Sequence, residues 1–279
     1  MTTVDAWIVP DWPAPARVRA LSTTRHGGVS AAPYGLADGS AGGLNLGTHV
    51  GDDAAAVATN RARLAARLPA MPRWLDQVHG CAVATADDGG DSDRDGNGPG
   101  AATPRADASI ATTAGHVCAI MTADCLPVLL CDTDGTVVGA AHAGWRGLCA
   151  GVIEATLARM AARMAAPVAG HPRATPQWLA WLGPAIGPDA FEVGAEVREA
   201  FLDAARPGER EAVAAAFRAG APGKYLADLY ALARTRLARA GCTQVYGGDA
   251  CTVADRERFY SYRRDGVTGR MATLVWLAD

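Results

Sequence analysis

Lysine is almost absent from this chain of 279 residues: Lys224 stands alone, and every other basic side chain is an arginine. With a formal net charge of −3, there is no electrostatic case for a nucleic-acid partner. Against a background of abundant Ala and Gly, the arginine bias reads as GC-rich coding rather than a binding surface. Histidine is scarce as well, with six residues and no His-x-His pair. That is too few for the several copper centres of a multicopper oxidase. The His-x-Glu and Pro-Cys-x-x-Cys words of the ordinary zinc nucleobase deaminases are missing, which excludes that family. No uninterrupted apolar stretch approaches the roughly 20 residues that span a bilayer, so no membrane partner is expected. The segment Met1-Thr-Thr-Val-Asp-Ala-Trp-Ile-Val-Pro10 has neither a basic start nor a long apolar run. No secretory signal is therefore expected, and cytoplasm is the expected compartment. Seven cysteines, an odd count without a Cys-x-x-Cys pair, suit reduced and mostly buried thiols, Cys125 excepted.

What is present suits a globular chain. Hydrophobic residues make up 49%, enough for a large core, and one domain spanning 1–279 is expected. Helical apolar spacing predicts helices at about 53–68, 147–166, 194–205, 208–219 and 224–240. Strands are expected at about 18–24, 73–85, 117–131, 136–142, 177–183, 244–246 and 271–277. Such mixing indicates an α/β or α+β fold with a mixed sheet and outer helices. Residues 87–104, rich in Asp and Gly, read as a mobile loop. The five aspartates of 87–100 lack the closing Glu of a calcium-binding EF-hand loop and suit a solvated segment.

Three ligand-type side chains occupy restrictive segments: His79 in Leu-Asp-Gln-Val-His-Gly, Cys125 in Thr-Ala-Asp-Cys-Leu-Pro-Val, and His142 in Ala-His-Ala-Gly-Trp-Arg-Gly. Two imidazoles and a thiolate suit Zn²⁺, and three protein ligands leave a fourth tetrahedral position open, the catalytic arrangement. Cys125–Cys131 and Thr136–His142 flank Asp132-Thr-Asp-Gly135, a hairpin signature. A two-residue turn at Asp134-Gly135 sets His142 opposite Pro127 and diagonal to Cys125. A four-residue loop over 132–135 sets Cys125 and His142 directly opposite, with Cβ atoms about 5 Å apart, against somewhat under 8 Å for the diagonal. Either suits a shared ion; a three-residue loop would put the two on opposite faces. Beyond His142 a helix is expected to begin near Gly147, and its free amides together with Arg146 form a candidate anion clamp.

These segments, with others in the same order, resemble the YfiH family, a group also called laccase-like or polyphenol oxidase, whose human relative is FAMIN. The matching words are Ser22-Thr-Thr-Arg-His-Gly-Gly-Val-Ser30, Leu44-Asn-Leu-Gly47, Gln77-Val-His-Gly80 and Arg105-Ala-Asp-Ala108. They continue through Met121–Val128, Ala141–Gly147, Gly183-Pro-Ala-Ile-Gly-Pro188, Phe191-Glu-Val-Gly194 and Ser261-Tyr-Arg-Arg-Asp265. The resemblance covers nearly the whole chain. It implies a layered α/β/β/α sandwich, and a zinc site of His79, Cys125 and His142 at the heart of catalysis. It also implies phosphorolysis of adenosine, inosine and methylthioadenosine, with adenosine deamination as a companion activity. Some bacterial members are assigned instead to editing of peptidoglycan precursors, removing a wrong amino acid from a nucleotide-linked muramoyl intermediate.

Each residue also has a structural reading. A histidine such as His79 can be a hydrogen-bonded core residue, and Arg146 can cap or pair. His26 and His49 lie in Gly-rich loops where turn formation explains their setting, while Arg25 and Asn45 are expected to contact substrate. His116 and His171 carry no assigned role. Asp124 is expected to point away from the ligand face, as an orienter or a strand-end brace. In the zinc reading, an activated water attacks C6 of adenine, or ordered phosphate attacks C1′ of the ribose, with Arg25, Arg146 and the helix amides as anion donors. Two other chemistries compete. Cys125 and His142 without metal would make a cysteine amidase. Adventitious Cu²⁺, which binds such ligands more tightly than Zn²⁺, would account for laccase-type oxidation as a side reaction. A metal-stabilised binding module is the non-enzymatic reading.

Overall fold

A computed structural model of the chain describes residues 7–88, 103–164 and 176–279. Its centre is a set of strands buried on both faces. Strands β1 (Val18–Ser22), β2 (His26–Ser30), β3 (Val83–Thr85), β4 (Ala108–Ala111), β5 (Val117–Thr122), β6 (Leu126–Asp132) and β7 (Val138–Ala143) occupy the first half, with helix α1 (Ala54–Ala65). Every residue of β5, β6 and β7 is buried. The reason is alternation. In β6, Leu126, Val128 and Leu130 join one apolar cluster, while Leu129 and Cys131 join another on the opposite face. In β5, Cys118 and Ile120 enter that second cluster, and Val117, Ala119 and Met121 enter a third.

The second half adds α2 (Trp145–Ala150), α3 (Val152–Met164), β8 (Trp178–Leu182), β9 (Glu192–Gly194), α4 (Ala195–Asp203), α5 (Arg210–Ala215), β10 (Phe217–Ala219) and β11 (Lys224–Ala227). It closes with α6 (Leu229–Arg239), β12 (Gln244–Gly247), α7 (Tyr262–Asp265) and β13 (Met271–Leu277). A mixed six-stranded sheet has the order β12-β8-β6-β7-β4-β3, and an antiparallel three-stranded sheet the order β1-β13-β5. A further small sheet runs β10-β11-β9. The two larger sheets pack face to face through Leu129, Cys131, Val138, Ala140, Cys118, Ile120 and Val275. Helix α3 and its neighbours cover the other face of the large sheet, through Ile153, Leu157, Met160 and Leu237. Leu64 of α1 seals the outer face of the three-stranded sheet with Ala119, Met121 and Leu274. The architecture is the expected α/β/β/α sandwich. Among the described residues, no helix is long and apolar enough to cross a membrane.

Several boundaries differ from expectation for local reasons. The helix expected over 147–166 begins at Trp145 and is interrupted at Gly151, which adopts φ 101° and ends α2. The strand expected over 117–131 is broken at 123–125, where Asp124 takes φ 95°. Residues 224–227 of an expected helix pair as a strand with β9 and β10, and the helix starts only after the Asp228 carboxylate accepts the Ala231 N–H. Residues 217–219, also expected helical, form β10. The strand expected over 73–85 is formed only at 83–85, because a buried carboxylate captures the amides of 78–80. Of the expected mobile loop, 89–102 lies outside the described residues. Its first residue is anchored: the Asp87 carboxylate accepts from the Thr112 amide and hydroxyl. His171 also falls outside the described residues.

In the outer layer, α3 and α6 are tied by ion pairs. Arg236 reaches Glu154 at 3.1 Å, and Arg239 lies 3.6 Å from Glu154 while donating to Glu209. Hydrogen bonds from Arg239 hold the Glu209 carboxyl down to about 2, against the burial that would raise it. A depressed carboxyl stabilises the fold above its ordinary titration range, and that contribution fades as pH falls toward 2. Glu209→Gln should therefore destabilise the protein by on the order of 1 kcal/mol at neutral pH. Urea titrations at stepped pH should show the difference from the parent shrinking below about pH 4; a difference independent of pH would contradict this ion pair.

Candidate metal centre and its cleft

Asp107, fully buried, organises the centre. Its carboxylate accepts the backbone N–H groups of Val78, His79 and Gly80 at 3.2, 2.8 and 2.7 Å. It also lies 2.9 Å from Nδ1 of His142. These bonds hold His79 at φ 62°, a conformation uncommon for a residue with a Cβ. With Nδ1 of His142 donating to Asp107, Nε2 is the nitrogen left for the cluster. Burial would raise the Asp107 carboxyl, but His142 and the amides outweigh it and hold it low.

The hairpin places the other two groups. Its observed register is that of the two-residue turn, with Pro127 opposite His142 and Leu126 opposite Ala143. The Asp132 carboxylate stabilises the loop by accepting the amides of Thr136 and Val137. Cys125 precedes the first strand residue, so the kink at Asp124 presents its thiol at the mouth of the sandwich. Asp124 points away from the ligands, as expected. Its carboxylate accepts the Thr252 hydroxyl at 2.6 Å and the Arg263 N–H at 2.7 Å, which fixes the start of α7 beside the site.

His79, Cys125 and His142 thus converge, with one ligand atom from each within 4.8 Å of the others. Cys125 Sγ lies 3.7 Å from His79 Nε2, and the two imidazoles meet edge to face with centroids 4.7 Å apart. Glycine makes the approach possible. A Cβ at Gly144 would sit 2.9 Å from His79 Cδ2 and 3.0 Å from Cys125 Sγ. One at Gly147 would sit 2.9 Å from the Gly80 carbonyl oxygen. Burial would raise the Cys125 thiol, yet His142 and His79 outweigh it and bring it down to about 6. Burial likewise would lower the His142 imidazolium, and Cys125 and Asp107 raise it to about 9. Without metal, the pair is a thiolate and an imidazolium at neutral pH.

The cluster forms the floor of a cleft of about 970 Å³, whose walls include His49, Arg61, Trp74, Asp76, Met121, Tyr262 and Arg270. The three residues expected to contact substrate lie elsewhere. Arg25 is 4% exposed and donates to the carbonyls of Gly35 and Arg256 while stacking on Tyr260. Asn45 is buried among Gly47, Asp52 and the Arg270 backbone. Arg146 is exposed, lies over the Trp145 ring and is not part of the cleft wall. Helix α2 begins at Trp145, and none of its residues is among those that line the cleft. Asp107, Arg61, Arg270 and Tyr262 were not singled out by sequence. The available signals were the motif words Arg105–Ala108 and Ser261–Asp265, which contain Asp107 and Tyr262, and the placement of an acid among small and apolar residues at 106–110, where burial demands partners.

In protein stripped of metal, Cys125 should alkylate with iodoacetamide at a midpoint near pH 6, followed by peptide mass spectrometry. Cys118, whose thiol burial pushes up to about 12, should remain unmodified. A Cys125 midpoint at the ordinary thiol value of about 8.5 would contradict this pairing.

A family model described as multi-copper polyphenol oxidoreductase laccase matches residues 19–278. "Purine nucleoside phosphorylase PA4543" of Pseudomonas aeruginosa is 52% identical over 276 residues, covering 99% of this chain and 100% of that protein. "Purine nucleoside phosphorylase YfiH" of Escherichia coli K12 is 52% identical over 272 residues, covering 97% of this chain and 98% of its own. Among solved structures, the Neisseria meningitidis protein NMB0706, of family DUF152, superposes with a TM-score of 0.82 at 48% identity, over 99% of this chain and 100% of that one. With the match running along nearly its whole length, and with the layered sandwich shared, the chain belongs to the YfiH family.

Proposed function

We propose that this chain is a zinc-dependent purine nucleoside phosphorylase acting on adenosine, inosine and methylthioadenosine, with adenosine deamination as a side activity. The observation that carries the reading is the position of the His79–Cys125–His142 cluster. It floors a cleft large enough for a nucleoside and phosphate together, in a chain 52% identical to relatives named purine nucleoside phosphorylase.

The donor set fits one metal ion. Tetrahedral zinc, with bonds of about 2.0–2.3 Å, needs ligand atoms about 3.3–3.8 Å apart; the 3.7 Å between Cys125 and His79 lies in that range, and a small contraction brings in the rest. Cys125, already ionised at neutral pH, and His142, oriented by Asp107, would be its ligands with His79. When bound, zinc supplies Lewis acidity beside the substrate and keeps a fourth coordination position open. Copper loading of the same three ligands would account for oxidase activity of the kind the family description names.

In phosphorolysis, an oxygen of hydrogen phosphate bonds to C1′ as the C1′–N9 bond breaks, the electron pair leaves with the purine, and the proton given up by the phosphate balances the one that the purine takes up at a ring nitrogen. The chain contributes walls that hold sugar and base while excluding bulk water, with Tyr262, 61% exposed, at the rim as a stacking surface for the base.

A second reading has its own observation. The Cys125–His142 thiolate–imidazolium pair suits a metal-free amidase acting on a nucleotide-linked muramoyl precursor. The role of His79 separates the two.

Metal-quantified protein incubated with adenosine should give adenine and ribose 1-phosphate only when phosphate is present, with a smaller yield of inosine, resolved by chromatography. No product from zinc-loaded protein would instead favour the amidase. His79→Ala should lose tight zinc binding and nucleoside turnover together. Asp107→Asn should weaken zinc by about 10–100-fold in chelator competition. Retained metal stoichiometry and activity in His79→Ala would refute the centre.

A further inference from the structure

Arg61, Arg270 and His49 line the cleft together with the acidic Asp76, and the reaction as described gives the two arginines no role. Arg61 comes from α1, Arg270 from the residue before β13, and His49 from the loop that precedes α1. Each of the two arginines is held by the fold. Nε of Arg61 donates to the Leu46 carbonyl at 3.0 Å, and its guanidinium lies 4.3 Å from the centroid of the Trp74 ring. Arg270 donates through Nη1 to the carbonyls of Thr268 and Gly269, both at 3.2 Å. Its side chain crosses Gly47 so closely that a Cβ there would lie 2.8 Å from Arg270 Cγ.

Asn45 links the wall together. Its Oδ1 accepts the N–H groups of Gly47 at 3.0 Å and Arg270 at 2.8 Å, so the loop carrying His49 and the backbone carrying Arg270 share one buried anchor. The electrostatics agree with this convergence. The His49 imidazolium is disfavoured by burial and then by Arg270 and Arg61, which together outweigh the support it receives from Asp76. Burial also lowers Arg270, while the charges of Cys125 and Asp124 support it. Like charges held together in a half-enclosed wall are stabilised by an anion that bridges them. Arginine forks match the oxygens of a tetrahedral phosphate, and enclosure strengthens each bond.

We propose that Arg61 and Arg270, with His49 at the rim, form a subsite for a phosphate-class oxyanion adjoining the His79–Cys125–His142 cluster. This places the anion on the wall opposite in sequence to the expected clamp: neither Arg146 nor the start of α2 takes part. The inference rests on the phosphorylase reading only for the source of the anion. Free orthophosphate is the source if the cleft performs phosphorolysis; the diphosphate of a nucleotide-linked substrate presents the same chemistry.

The test uses zinc-loaded full-length protein, with inorganic phosphate and uridine diphosphate as separate probes in calorimetry, and phosphorolysis of adenosine in parallel. Arg270→Gln and Arg61→Gln should each raise the Kd for the bound probe by about tenfold or more, the scale of a lost charge-assisted hydrogen bond. The KM for phosphate should rise by a similar factor, with the KM for adenosine changed less than about threefold. Arg270→Lys, which keeps the charge and loses the fork, should fall between, and covers the case in which Arg270→Gln fails to fold. Phosphate binding at least as tight as that of uridine diphosphate identifies orthophosphate as the anion, and the reverse order identifies a nucleotide-linked substrate. Arginine-dependent phosphate binding without any phosphorolysis would sustain the subsite and remove the phosphorylase reading. Phosphorolysis with an unchanged phosphate KM in both glutamine variants, or a parent protein that binds neither probe at millimolar concentration, would overturn the subsite.

Discussion

A single buried carboxylate coordinates the local structure around the centre. Asp107 sits on the residue before β4, where burial would ordinarily make a carboxyl neutral. Four donors from two segments keep it ionised: three consecutive amides of 78–80 and the His142 imidazole. The same bonds hold His79 in its left-handed conformation and set the tautomer of His142. One residue thereby orients two of the three ligand-type side chains. Its loss would leave three part-buried amides and the buried imidazole N–H of His142 without their acceptor, a cost of about 1–3 kcal/mol.

The sandwich explains why the cleft lies where it does. Strands β5 and β6 are covered on both faces, so their only exposed positions are at their ends. The reversal at Asp124 is one such end. There the chain adopts a positive φ, Cys125 turns into the opening, and the Asp124 carboxylate fastens α7 with Tyr262 beside it. The glycines of the segment after His142 serve the same opening, since side chains at Gly144 or Gly147 would collide with His79, Cys125 or Gly80. Rigid buried strands on one side and close backbone approach on the other leave little freedom for the three side chains, which is the condition for a preorganised centre.

The walls divide the chemistry. Cys125 and His142 form an ionised pair at the floor, Tyr262 and Trp74 supply aromatic surface, and arginines line one side. Asn45 supports the arginine side by accepting the Gly47 and Arg270 amides, whereas Arg25 binds the Gly35 and Arg256 carbonyls away from the cleft lining. A polar residue in a Gly-rich loop meets two competing demands, ligand contact and satisfaction of buried backbone groups; here the second takes both side chains.

The sequence by itself determined the mixed α/β class, with the layered sandwich implied by the family resemblance, the positions of most main strands and helices, and the segments that carry His79, Cys125 and His142. Those features are legible because alternation, helical spacing and the hairpin turn act over short distances, and because the family motifs are ordered along the whole chain. The hairpin itself was legible in Asp132–Gly135, while the choice between its two-residue and four-residue registers was made only by the observed pairing of Pro127 with His142. Tertiary structure decided the rest. Residues 217–219 and 224–227 became strands because they pair with each other and with 192–194, a long-range choice that overrides local helical spacing. Asp107, Arg61 and Arg270 lie far apart in the sequence and acquire their roles only when the sheet edge, α1 and the approach to β13 meet around one opening. No local pattern encodes that meeting, since it is set by packing of the layers and by the demand that buried polar groups find partners.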